Sequence, residues 1–348
     1  MKKIIIITIF LLGLFLAKDA KATVTWLTPS DVSPTGSGWV DVDVSASVPA
    51  GATGVIVHIV NSSGYAATTG VRKNGSTDSR TWTGTGGGAY QSHQWAVIGV
   101  DANRIFEANV GPAYYLVGYF GSESAFFTNA VDKTLGSTDA YVDIDISADT
   151  GADTAIGVFI EMWPAWETFM AARMNGSTDD IYYYRYCPYW MAVGVDGSEI
   201  FEGKVSNTGS HFFLNGYMKS GATFLTNATN MSLGGTAAWT DLTALPAGAT
   251  GGFFHVIDNG FSYGNYGLRK NGSSEDIYQR LVLIAASAFV EADASQLIEG
   301  EIAGTGTDFY LTGYTTGGGG VVTPGTTNST APIIFKPNVI LKPGVIFK

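Results

Sequence analysis

Cysteine is almost missing: Cys187 is the only one in 348 residues, so no disulfide can form within the chain and a disulfide scaffold is excluded. Histidine is nearly as scarce. His58, His93, His211 and His255 include no His-x-His or His-Glu-x-x-His spacing, which leaves zinc hydrolysis without support. Basic residues are few, 19 against 30 acidic ones, for a net charge of −11. An acidic chain is repelled by nucleic acid and by anionic membrane surfaces, so neither is expected as a partner. No calcium loop of the EF-hand type occurs, no helical apolar stripe is present, and no cofactor is expected.

One apolar run exists, at the start. Lys2 and Lys3 precede Ile4 to Leu16, and Ala20-Lys21-Ala22 offers small residues for cleavage, the pattern of a secretory signal over residues 1–22. The run is shorter than the ~20 residues of a membrane span, so no span is expected after cleavage; a retained N-terminal anchor is the alternative. The site is not followed by cysteine, which excludes lipid attachment there. Cleavage removes four lysines and Asp19, taking the charge from −11 to −14, and places the mature protein outside the cell or on its surface.

The remaining chain is one unit written three times. Asn74-Gly75-Ser76-Thr77-Asp78 returns as Asn175-Gly176-Ser177-Thr178-Asp179 and as Asn271-Gly272-Ser273-Ser274-Glu275, each two residues after an arginine, Arg72, Arg173 or Arg269. Gly99-Val100-Asp101 through Glu107 returns as Gly194-Val195-Asp196 through Glu202, and more loosely as Asp293 through Glu299. Tyr115-Leu116-Val117-Gly118-Tyr119, Phe213-Leu214-Asn215-Gly216-Tyr217 and Tyr310-Leu311-Thr312-Gly313-Tyr314 close the copies. A repeat of this length is a whole domain, and each copy is long enough to bury a core. The boundaries fall at 23–122, 123–220 and 221–316.

Each copy reads as strands. Val40, Val42 and Val44 alternate with Asp41, Asp43 and Ser45, and Val142, Ile144 and Ile146 with Asp143, Asp145 and Ser147, so the carboxylates should face outward. In the first copy eight strands are predicted, near 24–28, 39–47, 54–62, 66–73, 79–84, 92–100, 103–110 and 113–121. The fold class is therefore all-β: three tandem eight-stranded antiparallel β-sandwich modules, jelly-roll-like or immunoglobulin-like, arranged as a rod. A Gly/Thr/Pro linker over 317–329 leads to a hexad-repeat tail over 330–348. Its triplets Ile333-Ile334-Phe335, Val339-Ile340-Leu341 and Val345-Ile346-Phe347 make about one β-helical coil, which cannot bury its own face. Ile334, Phe335, Ile340, Leu341, Ile346 and Phe347 are thus expected to drive self-association into a homo-oligomer, or attachment to a surface partner.

Candidate sites are few. The arginines and the acids after each Asn-Gly suggest a clamp across a type I′ hairpin, with both central residues at positive φ; a ligand-binding loop is the other reading. Asp101 with Glu107, and their copies, resemble paired catalytic carboxylates, but one falls in a turn and the other along a strand. The second module departs from its siblings with Trp163 and Trp166 in one loop and Tyr182, Tyr183, Tyr184 and Tyr186 in the next. Aromatic platforms bind sugars and proteins, so Trp163, Trp166, Tyr182 and Tyr184 are candidate ligand residues for a glycan or a protein. Core packing is the competing role.

The phrases Arg72-Lys73-Asn74-Gly75-Ser76-Thr77-Asp78, Val97-Ile98-Gly99-Val100-Asp101 and Phe201-Glu202 with Gly216-Tyr217 resemble tandem β-sandwich repeats of phage tail-fibre-like and secreted surface proteins. That resemblance covers 23–316 and implies a structural or adhesive role without catalytic residues. A carbohydrate-binding protein is the first alternative, a secreted glycan hydrolase the second.

Overall fold

The computed structural model describes residues 24–317, apart from 64, 66, 84–91, 166–167, 186–187, 259–263 and 281–284. The expected signal segment and the hexad tail lie outside the described residues. Within them the protein is all-β, with one helical turn, α1, at Ser147–Thr150.

The first module contains β1 (Thr25–Asp31), β2 (Trp39–Asp43), β3 (Gly54–Asn61), β4 (Thr68–Thr69), β5 (Val71–Lys73), β6 (Trp82–Thr83), β7 (Ser92–Gly99), β8 (Ile105–Asn109) and β9 (Ala113–Phe120). One sheet runs β1-β9-β3-β7; facing it are β2-β8-β5 and the pair β4-β6. Since β4 and β5 are one strand interrupted at Gly70, eight strands pair as first with eighth, second with seventh, third with sixth and fourth with fifth. A long antiparallel ribbon folded in this order and wrapped on itself is a jelly roll. This decides the topology that alternation alone leaves open, and the eight strands fall where the sequence predicts them.

The second module repeats the order with β10 (Ser124–Asp132), β11 (Val142–Asp145), β12 (Gly157–Trp163), β13 (Thr168–Met174), β14 (Tyr183–Arg185), β15 (Tyr189–Gly194), β16 (Ile200–Val205) and β17 (His211–Met218). Its sheets are β10-β17-β12-β15 and β11-β16-β13-β14. The third has β18 (Ala222–Asn230), β19 (Thr236–Asp241), β20 (Ala249–Asp258), β21 (Asn265–Lys270), β22 (Gln279–Arg280), β23 (Ala285–Glu291), β24 (Ile298–Ile302) and β25 (Thr307–Thr316). Here the sheets are β18-β25-β20-β23 and β19-β24-β21-β22.

Alternation holds where a sheet faces water. Val42 and Ile144 are buried while Asp41, Asp43, Asp143 and Asp145 are exposed. It fails in β3, β7, β12, β15 and β23, where nearly every residue is buried. These strands have a core on both faces. Val55, Val57 and Ile59 point into the first module's own sandwich. Ile56, Trp95 and Val97 point the other way, into a cluster shared with Phe126, Phe159 and Met218 of the second module and Phe253 and Phe289 of the third.

The modules therefore do not form a rod. Strands β7, β15 and β23, the sixth of each module, touch pairwise. Arg280 of β22 pairs with Ser92 of β7, joining the third module to the first. Three jelly rolls thus close into a ring about a pseudo-three-fold axis. Burying two-sided apolar strands outweighs the solvation an extended array would keep, at roughly 25 cal/mol for each Å² of apolar surface removed from water.

Candidate functional site

The repeated residues build seams between modules. In each module the arginine before Asn-Gly is held by its own sheet of second, seventh and fourth strands: Arg72 Nε donates to Glu107 Oε2 and Nη2 to Glu107 Oε1, both at 2.9 Å. Its guanidinium lies 4.3 Å from the centre of the Trp39 ring. Arg173 repeats this with Glu202 and Tyr141, and Arg269 with Glu299 and Trp239. Asp101 is engaged elsewhere, accepting from Asn74 Nδ2 at 2.8 Å and from the N–H of Asn103 and Ile105 in its own turn. Those bonds to the charged form hold its carboxyl below the usual range, although burial opposes them. Glu107 and Asp101 thus serve separate structural contacts in every copy.

The expected type I′ hairpin does not form. Gly75, Gly176 and Gly272 have φ of +78°, +79° and +75°, but the preceding asparagines are not among the residues at positive φ. The i+3 bond from Ser76 N to Lys73 O with a single left-handed residue is a type II turn. The asparagine side chain is committed to Asp101, and the chain leaves the turn toward the next module.

There Ser76 Oγ and Thr77 N donate to Asn129 Oδ1 at 2.9 and 2.8 Å, and Ala130 N donates to Asp78 Oδ2 at 2.8 Å. At the second seam Ser177 and Thr178 hold Asn227 at 2.9 and 2.8 Å, and Ala228 N donates to Asp179 Oδ2 at 2.6 Å. Beside each clamp an aromatic ring sits on two glycines. A Cβ on Gly54 or Gly99 would lie 2.2 or 2.6 Å from Phe126, and one on Gly157 or Gly194 would lie 2.2 or 2.6 Å from Phe224. The first seam adds a buried ion pair, Arg80 Nε to Glu161 Oε2 at 2.8 Å, with Arg80 also over Phe213. Burial raises the Glu161 carboxyl above its ordinary value, and Arg80 opposes that rise.

The third seam, from module three back to module one, differs. Trp26 stands where the other seams have Phe126 and Phe224, and packs on Gly251. Pro29 replaces the clamped asparagine, Ser274 the threonine, Glu275 the aspartate, and Glu291 the second glycine. Other contacts hold it shut on its inner side: His93 Nε2 lies 3.0 Å from Tyr266 O, the Tyr266 hydroxyl donates to His93 O, and His58 Nε2 meets His93 Nδ1 at 2.8 Å. Burial pushes the His93 imidazole down to about 3 and lowers His58 well below its usual value, so both are neutral.

The second-module aromatics are divided. Trp163 ends β12 opposite His211 and is half-buried, whereas Tyr182 is 48% exposed. Tyr182 meets Phe169, 38% exposed, edge-on at 5.1 Å. Phe169 was not expected at this position; the signal is a large apolar residue at the polar phase of β13. Tyr184 lies on β14 in register with Phe169. Trp166 falls outside the described residues, as do Ile334, Phe335, Ile340, Leu341, Ile346 and Phe347. Trp190, the match of Trp95, is buried like it. The stretch Gly260-Phe261-Ser262-Tyr263-Gly264 has the spacing of a nucleophile elbow, but it joins strand β20 to strand β21, whereas that elbow needs a strand followed by a helix. Among the described residues no three His, Cys, Asp or Glu side chains converge as metal ligands.

The sequence matches no protein-family profile and no curated protein. Two solved structures are similar over most of their length. One, from the atomic structure of Sulfolobus turreted icosahedral virus, shares 9% identity with a TM-score of 0.21, covering 84% of this chain and 91% of that one. The other, from work on a triple jelly-roll fold and turret assembly in an archaeal virus, shares 9% with a TM-score of 0.19, covering 85% and 90%. Superposition at that level is poor, so the jelly-roll assignment rests on strand order.

Proposed function

We propose that this protein is a non-enzymatic structural or adhesive unit, exported to the cell surface or beyond, attached by its C-terminal tail and presenting loops at its far end. The observation that carries this reading is the direction of the ring. Trp26 Nε1 donates to Thr315 Oγ1 at 3.3 Å, so both ends of the described chain emerge together. Register puts the start of β1 beside the ends of β9 and β7, at the same end as Gly54. Trp163 and His211 lie at the opposite end of their strands, as does Asn61, whose Nδ2 donates to Tyr65 O. The described chain therefore begins and ends at one pole, while Trp163, His211 and Asn61 stand at the other.

The repeated acids and arginines support a structural role, since each is taken up by a seam or its own turn. Apolar tail triplets would bury themselves against copies of the same tail or against a surface partner. Light scattering on the mature chain tests this. An oligomer that becomes monomeric when the chain is cut after Gly325, with unchanged module stability, supports it; a full-length protein monomeric at high concentration removes self-association.

A further inference from the structure

The three seams provide an internal comparison. At the first, the Arg80 side chain crosses to Glu161 at 2.8 Å and also reaches Asp78 of the Asn-Gly turn at 3.2 Å. At the second, the equivalent space is a cavity of about 30 Å³ lined by Tyr141, Met174, Ile181, Leu225 and His255. At the third, the same position opens to about 370 Å³, between Trp26, Pro29, His58, Trp239, Ser274 and Glu291. Ile277 stands where Arg80 does, and Pro29 has no side-chain oxygen to offer the turn. Among the described residues Ser274 makes no hydrogen bond, while its counterparts Thr77 and Thr178 give both N–H and hydroxyl to an asparagine. Ser273 is half-buried where Ser76 and Ser177 are buried.

We infer that this open third seam is a binding site for a short neutral saccharide. Three features select that chemistry. The volume lies within the range of small-ligand pockets and is too small for a polypeptide segment with its side chains. Its charges balance: Arg269 is paired with Glu299, and Lys270 with Glu291 at 2.7 Å, while Glu275 is lifted toward its neutral form by burial. A charged ligand would meet no uncompensated partner. The wall combines the indoles of Trp26, Trp95 and Trp239 with the Ser274 donors and the Glu291 and Glu275 acceptors, which suits a ring with apolar C–H faces and hydroxyls around its rim. The exposed Tyr182 and Phe169 pair takes no part in lining the site.

The test titrates the mature full-length protein with maltose, cellobiose, lactose, mannobiose and N,N′-diacetylchitobiose by saturation-transfer NMR and calorimetry. At least one should bind. Pro29→Asn with Ser274→Thr, which rebuilds the clamp of the other seams, should weaken that binding at least tenfold. Ser274→Ala alone, on an exposed turn, should weaken it several-fold, and serves if the double variant does not fold. Asn129→Ala, at the first seam, should leave binding unchanged. No binding of any of these sugars overturns the inference, as does binding that survives Ser274→Ala and the rebuilt clamp, or that is lost equally with the Tyr182→Ala variant.

Discussion

Removing the Arg80 guanidinium isolates a carboxylate. Glu161 is enclosed between the first two modules, with Arg80 at 2.8 Å as its cation. Arg80→Met keeps the stem that lies against Phe213 but leaves the carboxyl uncompensated, which costs ~3–5 kcal/mol for a buried pair broken on one side. In a cooperative unit of about 300 residues that lowers the melting temperature by roughly 5 to 8 °C. The pH dependence has a defined sign. Burial already holds Glu161 above its ordinary 4.5, and loss of Arg80 raises it further. An acid whose folded value exceeds its unfolded value takes up a proton on folding, so its contribution falls as pH rises through the gap and recovers below the unfolded value. The difference between Arg80→Met and the parent, measured by denaturant unfolding, should therefore be largest at pH 8 and shrink toward pH 5. Arg80→Ile with Glu161→His copies the other seams, Ile181 with His255 and Ile277 with His58, and should recover most of the loss. A deficit under ~1 kcal/mol at pH 8, or one that grows on acidification, would refute the buried pair as a determinant of the seam.

Asn129→Ala deletes the acceptor shared by Ser76 and Thr77 and should cost ~1–3 kcal/mol in chemical unfolding. Gly157→Ala drives a methyl to within 2.2 Å of Phe224 and should cost ~1–3 kcal/mol, while Gly197→Ala, with nothing within 4 Å, stays within about 0.5 kcal/mol. Buried neutral His58, His93 and His255 have depressed values, so their contribution is full above 6.5 and is lost as pH falls below it; stability should drop by up to ~4 kcal/mol per pH unit once all three are protonated in the unfolded chain. Tyr182→Ala with Phe169→Ala should change stability by less than ~1 kcal/mol, because both rings are partly solvated; a larger loss in thermal unfolding assigns them to packing.

Strand positions were legible because half-buried strands must alternate, and Val40 to Ser45 does so cleanly. The ring was less so, yet Val55-Ile56-Val57-His58-Ile59-Val60 carries its signal: an unbroken apolar run in a sandwich whose outer strands alternate needs a second core. Jelly-roll order could not be read locally, since it depends on which distant strands meet. The Asn-Gly turns misled through a short-range rule: asparagine's bond to Asp101, 27 residues away, overrides the hairpin preference. The acids invited a catalytic reading in isolation, whereas the structure sets Glu107 on Arg72 and Asp101 on Asn74, each repeated in the other copies. The third seam was visible only as substitutions, Pro29 for asparagine and Glu291 for glycine, whose meaning required knowing that these positions face one another.

Ring closure is tested most directly by small-angle scattering with mass determination on the mature chain cut after Gly325. A monomer of three jelly rolls about a pseudo-three-fold axis should give a radius of gyration of about 20 Å, near the value for a compact body of this length. Three modules end to end, each of ~13 Å, would give about 30 Å, and that result would contradict the ring.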